Sequence, residues 1–398
     1  MEKLSELTNS YGPPDILIDS CSLKSNRYAA WGFEEIFEVN HKGCFINNKS
    51  LKGDIFSLFQ NFIDKSKNKK SNISCIGFIS YEFKNFIYPH ISFNKKKKSE
   101  VPFLWFCIPK LIKSYKTEYS RYNSKKSLTL KKNMINLEDY SKKIDIIKSH
   151  LKCGNAYQIN FTSKKFFTSS FDNSFDLYNY MRSQIKPKEG FFLHTKTFDI
   201  LSFSPELFIK IKDGNIETLP IKGTRPRSDN SEKDLQLKTE LFNSSKDRAE
   251  HLMIVDLLRN DLGKICKTSS IKVKDLYHIE SFKTIHHMVT KIIGKLKNKI
   301  TETDIIRALF PGGSITGAPK ESAMKIIDQL EIHNRNIYTG SAGYICNNGD
   351  MYFNICIRTL LKLHQDYEYG IGGGIVWDSN TKDEWHEADQ KSKILDLL

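Results

Sequence analysis

Residues 200–222 read ILSFSPELFIKIKDGNIETLPIK. Ile200 to Ser204 and Leu207 to Leu219 have the short, apolar, β-branched character of strands. Asp213-Gly214 interrupts the second run as a hairpin turn, since a two-residue turn needs positive φ, which Asp and Gly accept most readily. Folding the chain about that turn sets Glu206 opposite Lys222 or one step off it. Only a three-residue loop puts the two on the same face. A cross-strand ion pair accounts for such a pair with no further role. An acid and an amine facing one another is also a constellation that carries chemistry.

Outward from this hairpin the chain changes character near residue 135. Before it, short apolar runs (Ile16 to Ile18, Ile76 to Ile79, Phe103 to Ile108) alternate with Lys/Asn-rich turns, which predicts strands. We therefore separate a β-rich region, 1–134, from a region 135–398 of longer elements. Tyr140, Ile144, Ile147 and Leu151 predict a helix from Glu138 to Lys152 that stops before Gly154. Leu252, Val255, Leu258 and Leu262 predict another from Lys246 to Leu262, with Ser244 or Ser245 as its cap. A third, Pro319 to Leu330, opens on proline and follows a glycine-rich segment, Pro311 to Gly317, that reads as a flexible loop. A final helix is predicted from about Lys382 to Leu397.

The composition excludes several classes. With 398 residues, 39% of them hydrophobic, the chain is long and apolar enough to bury a large core. Basic residues exceed acidic ones by 15. We read the excess as compositional drift, with a basic nucleic-acid-binding protein as the alternative. The densest basic run, Lys95 to Lys98, reads as a solvated loop without any zinc-finger, RNP or basic-zipper pattern. Eight cysteines lack a Cys-x-x-Cys pair, so reduced, mostly buried thiols are expected. No signal-peptide pattern and no apolar run of about 18 residues occurs. A reducing, cytosol-like compartment and no membrane are the expectation.

Three further groups carry potential chemistry. Asp247 and Glu250 lie three apart at the start of a predicted helix, where carboxylates also suit the dipole. Glu384, Glu387 and Lys391 follow one face of the last helix. Two such carboxylate pairs can hold a hard divalent cation such as Mg²⁺ or serve as solvated faces. Gly370, Gly372, Gly373 and Gly374 after a strand, and Gly312, Gly313 and Gly317 before a helix, can present backbone N–H groups to an anion, though neither is a P-loop or a dinucleotide fingerprint. Arg358 offers a fork for a carboxylate.

Taken together, PIKGTRPR (220–227), DRAEHLMIVDLLRNDLG (247–263), PGGSITGAPK (311–320) and GGGIV (372–376) closely resemble the chorismate-utilising enzymes. The likeness covers about residues 135–398; the N-terminal third matches loosely, at ILIDS (16–20) and GFISYE (77–82). Within that family the resemblance leans to the aminodeoxychorismate synthases, because Lys222 stands where those enzymes carry a nucleophilic lysine. Anthranilate synthases carry a small residue there and are the alternative. Gln158 stands where isochorismate and salicylate synthases have a lysine that activates water.

The resemblance implies an α+β fold of two large, mostly antiparallel sheets packed face to face with helices outside, built as one unit from both regions. It implies chorismate as substrate and Mg²⁺ as cofactor, held by Glu250 and Glu387 with Asp247 and Glu384 acting in part through water. Lys222 is implied as nucleophile, Glu206 as general acid and His287 as a catalytic histidine near the leaving side of the ring. Thr224, Thr316, Tyr338, Arg358, Lys391 and the amides of Gly372, Gly373 and Gly374 are implied to bind substrate. No segment resembles a glutamine amidotransferase, so ammonia is expected from a separate subunit of that type.

Overall fold

Strands Leu207–Lys212 and Asn215–Thr218 pair about a two-residue turn, with Lys212 opposite Asn215. Asp213 and Gly214 both adopt positive φ, 51° and 71°, as that turn requires. The computed structural model describes residues 2–20, 27–67, 71–94, 98–116, 119, 126–281 and 285–397. Cys21 and Lys95 to Lys97 fall outside them.

The hairpin ends earlier than its sequence suggests. Thr218 pairs with Ile292 and Lys222 with Met288, both on strand Ile285–Lys295, while Leu207 pairs with Asn354. Glu206 and Lys222 are therefore not cross-strand partners. Pro220 has no N–H to give a ladder, and the chain restarts beyond it, against Ile285–Lys295.

Every strand-to-strand pairing among the described residues is antiparallel. One limb runs from Gln158–Ser169 through Asp366–Ile375, Thr359–Leu363, Phe198–Ser204 and Glu189–His194 to Ile16–Asp19. The other runs from Leu104–Ser114 through Ile73–Ile79, Ser341–Cys346, Met351–Asn354, Leu207–Lys212 and Asn215–Thr218 to Ile285–Lys295. Strand Tyr28–Asn40 joins them, pairing with Ile16–Asp19 and Leu104–Ser114. It bends at Gly32, φ 65°, next to a register shift between Phe33 and Glu35, as a bulge does.

Beyond that corner the limbs face each other. Ile16, Phe191, Ile200 and Leu361 of one share a buried cluster with Phe78, Trp105, Ala342 and Tyr344 of the other, and Phe198 meets Phe78 edge-on at 5.7 Å between ring centroids. Each such side chain contributes about 1.5–3 kcal/mol by leaving water. Helices cover the outer faces. Ile55–Ser66, Ser245–Ile265 and Glu302–Leu309 pack on one limb, and Ser174–Ile185 on the other. This is the expected α+β arrangement of two packed antiparallel sheets.

Three local expectations need correction in detail. In Ser245–Ile265, capped by Ser244 accepting from the Asp247 N–H at 3.2 Å, Val255, Leu258 and Leu262 are buried but Leu252 is 41% exposed. Ile254 takes the inward place, so the buried stripe is turned relative to the predicted one. Pro311 to Gly317 is not a flexible loop: all seven residues are buried, because these glycines allow close packing rather than motion. The last helix, Thr381–Gln390, stops early. There the Ser392 N–H bonds back three residues to Asp389 and the chain tightens into a 3-10 turn, Lys393–Leu397.

Arg335 ties these parts together. Almost fully buried, it donates to both Glu331 carboxylate oxygens, at 2.8 and 2.9 Å, and to the carbonyls of Ile315 and Asn160, at 2.9 and 2.6 Å. Arg335→Met leaves the buried Glu331 carboxylate without the Arg335 charge, although Thr162 still donates to it. We expect a loss of about 3–5 kcal/mol in urea denaturation; a loss under about 1 kcal/mol would contradict this role.

Candidate active site

The glycines of strand Asp366–Ile375 mark the centre. They lie beside strand Gln158–Ser169, with Gly373 opposite Phe161 and Gly374 opposite Asn160. A methyl group on Gly373 would sit 3.5 Å from Lys391 Nζ, 3.6 Å from Glu384 Oε2 and 3.9 Å from Glu387 Oε1. One on Gly374 would sit 2.5 Å from Gln158 Nε2 and 3.2 Å from Lys222 Nζ. These positions are glycine because polar and charged side chains from three elements close on the backbone there.

Lys222 and Glu206 act on each other electrostatically, although they are neither hairpin partners nor a close ion pair. Strand Ile221–Pro226 carries Lys222 just before a register shift at Gly223, φ 74°. Burial pushes the Lys222 ammonium down from its ordinary range; Glu250, Glu206 and Glu387 oppose that, and Lys391 adds to it. Burial pushes the Glu206 carboxyl up to about 7, against the Ser314 hydroxyl, Lys222 and the Ile221 N–H. Ser314 Oγ donates to Glu206 Oε1 at 2.8 Å. Both groups are thus biased toward their neutral forms by the same loss of water.

Two helices add carboxylates. Asp247 accepts from Arg225 at 3.0 Å, and Glu250 is pushed up by burial and by its neighbours Glu384 and Asp247, against Lys222 and Lys246. On Thr381–Gln390, Glu384 is pushed up by burial and by Glu387, while accepting from Ser379 Oγ at 2.6 Å. Glu387 is held down, chiefly by Lys391, which donates to it at 2.8 Å and to the Gly372 carbonyl at 2.9 Å. Among the described residues no three of these carboxylates converge closely enough to enclose an ion.

His287 is buried, and burial followed by the Arg358 charge pushes it down to about 3, so its ring is neutral near pH 7. Its Nδ1 lies 2.9 Å from the Thr224 hydroxyl. Burial also lowers Arg358, which sits at φ 51°. Tyr338 lays its ring over Gly370, where a methyl group would fall 2.1 Å from Cγ. Thr316 spends its hydroxyl on its own loop, donating to the Gly312 carbonyl at 3.0 Å.

Lys222, Glu206, the four helix carboxylates, Lys391 and the glycines thus form one group, with His287, Thr224 and Arg358 alongside it. Ser314, Ser379 and Lys246 were not foreseen, since lone hydroxyls and one more lysine carry no spacing signal. Gln158 is fully buried, and neither of its amide atoms has a partner among the described residues.

A family of chorismate binding enzymes matches residues 13–396. Aminodeoxychorismate synthase component 1 from Salmonella typhimurium is 42% identical over 261 residues, 65% of this chain and 57% of that protein. Anthranilate synthase component 1 from Saccharolobus solfataricus is 38% identical over 66% of this chain and 62% of its own length. The matches thus span less than two thirds of either relative. Among solved structures, anthranilate synthase component I from Streptococcus pneumoniae superposes with a TM-score of 0.80 at 24% identity, over 94% of this chain and 93% of that one. The menaquinone-specific isochorismate synthase from Escherichia coli gives 0.77 at 15%, over 96% and 88%. At such identities the likeness is one of fold. With a family match that runs nearly end to end, the chain belongs to the chorismate binding enzymes.

Proposed function

We propose that this chain is the chorismate-aminating component of an aminodeoxychorismate synthase. Ammonia released by a glutamine amidotransferase partner would replace the C4 hydroxyl of chorismate, giving 4-amino-4-deoxychorismate for p-aminobenzoate and folate synthesis. The observation that carries the reading is the Glu206–Lys222 pair, an acid and an amine that feel each other's charge and are both biased to neutrality. Glu206 gives its proton to the departing C4 hydroxyl, which leaves as water. Neutral Lys222 forms a bond to C2 with allylic shift. Ammonia then enters at C4 and the C2–lysine bond breaks. His287 and Arg358 face the substrate side of this pair, and Lys391 and the Gly372 to Gly374 backbone orient its carboxylates.

Although no three of these carboxylates enclose an ion by themselves, hard oxygen donors on two helices, with Glu250 and Glu384 pushed up partly by neighbouring carboxylates, suit a divalent cation that keeps several waters and would relieve the crowding. Mg²⁺ would be held by Glu250 and Glu387, with Asp247 and Glu384 beside them. When bound it would neutralise a substrate carboxylate and draw electron density from the ring.

The test is product analysis after incubation with chorismate, Mg²⁺ and excess ammonium, with and without EDTA. We expect Mg²⁺-dependent 4-amino-4-deoxychorismate without pyruvate. Anthranilate plus pyruvate would favour the anthranilate synthase reading, to which the 38% identical relative points. Gly374→Ala should cut turnover about a hundredfold by displacing Gln158 and Lys222, with thermal unfolding changed by no more than a few degrees. Turnover within a factor of three of wild type would show that this close approach has no function.

A further inference from the structure

Ser314 lies outside the site residues implied by the family resemblance, yet among the described residues it makes the one side-chain hydrogen bond to the Glu206 carboxyl. Among the described residues its hydroxyl has no other partner. It therefore donates: if a protonated Glu206 donated to it instead, the serine proton would be left without an acceptor in a buried place.

The segment that carries Ser314 is held rigidly. A methyl group on Gly313 would fall 2.6 Å from Leu257 Cδ2, and one on Gly312 would fall 3.1 Å from Ile355 Cδ1, so the turn Gly313–Ile315 is wedged between helix Ser245–Ile265 and the sheet. Downstream, Lys320 forms a buried ion pair with Asp261 and donates to the Leu309 carbonyl at 3.2 Å. Arg335 holds the Ile315 carbonyl. On the other side, the Glu206 backbone is pinned as well: its N–H donates to Ser204 Oγ at 3.1 Å and its carbonyl accepts from the Ile355 N–H at 3.0 Å.

We propose that Ser314 is a positioning residue for the acid Glu206: the packed glycine segment holds its hydroxyl on one carboxyl oxygen, fixes the carboxyl's orientation and sets how tightly it holds its proton. The inference rests on the proposed function only in taking Glu206 as the acid. The other influences on this carboxyl are the Lys222 charge and the Ile221 N–H, from the same strand. Glu250, Glu387 and Lys391 act on Lys222. A hydroxyl that donates to a carboxylate favours the ionised form, so Ser314 opposes the upward push of burial. It keeps the carboxyl able to give up its proton within the physiological range.

The test is an infrared titration of the free protein, in which subtracting Glu206→Gln isolates the Glu206 carboxyl band. In Ser314→Ala we expect the midpoint to rise by about one pH unit or more, and in Ser314→Thr, which keeps the hydroxyl, to return to within a few tenths of a unit of wild type. The alkaline limb of kcat for chorismate consumption should move up with it, while kcat falls about tenfold and KM stays within a factor of two. An unchanged carboxyl midpoint in Ser314→Ala overturns the assignment even if 4-amino-4-deoxychorismate is the product. A midpoint that moves while the product is anthranilate supports Ser314 and overturns only the proposed product.

Discussion

Glu206→Gln should lower kcat for chorismate by about 10²–10⁴-fold and leave KM nearly unchanged. Glutamine fills the same space and can still accept from Ser314 at 2.8 Å, but it has no transferable proton. The wild-type acid is buried and pushed up to about 7, so the protonated, active form is lost as pH rises through that value. Turnover should decline on the alkaline side with a midpoint near 7, and Glu206→Gln should lose that limb along with its rate. Steady-state kinetics from pH 5.5 to 9 measure both. A variant within a factor of five of wild type would remove Glu206 from the chemistry.

Lys222→Ala is the second large effect. An ammonium has no lone pair with which to attack carbon, and burial pushes Lys222 toward the neutral amine. As its pKa is depressed, the amine gains as pH rises through that lowered value, giving an acidic limb opposite to the Glu206 limb and a bell-shaped profile. We expect the alanine variant to lose at least about a hundredfold in turnover and to lose the acidic limb. Circular dichroism should stay native, because removing Lys222 relieves a desolvated charge. Wild-type turnover in Lys222→Ala would refute a covalent role.

The pairing of these two residues shows what could be read from the chain and what could not. Asp213-Gly214 marked the hairpin because its turn demands positive φ, and the turn is where it was expected. The continuation past Pro220 was illegible: the partner strand, Ile285–Lys295, lies more than sixty residues downstream, and local patterning carries no information about so distant a choice. Glu206 and Lys222 still come within electrostatic reach, through the sheet rather than the turn.

Helical spacing placed Asp247 with Glu250 and Glu384 with Glu387. That the two pairs act on each other is a fact of packing between distant helices. Glycines were the most ambiguous letters. In Pro311 to Gly317 they permit Leu257 and Ile355 to press on the backbone, and tight packing leaves the same composition as mobility. Ser314, on which the acid depends, gave no pattern at all.

The most direct measurement of the central claim is a mass map of the wild-type protein quenched during turnover of chorismate without ammonia. The account predicts a gain equal to chorismate minus water on the peptide that contains Lys222, absent in Lys222→Ala and discharged when ammonium is added before the quench. Sustained production of 4-amino-4-deoxychorismate with ammonium, while that peptide stays unmodified under every quench condition, would contradict it.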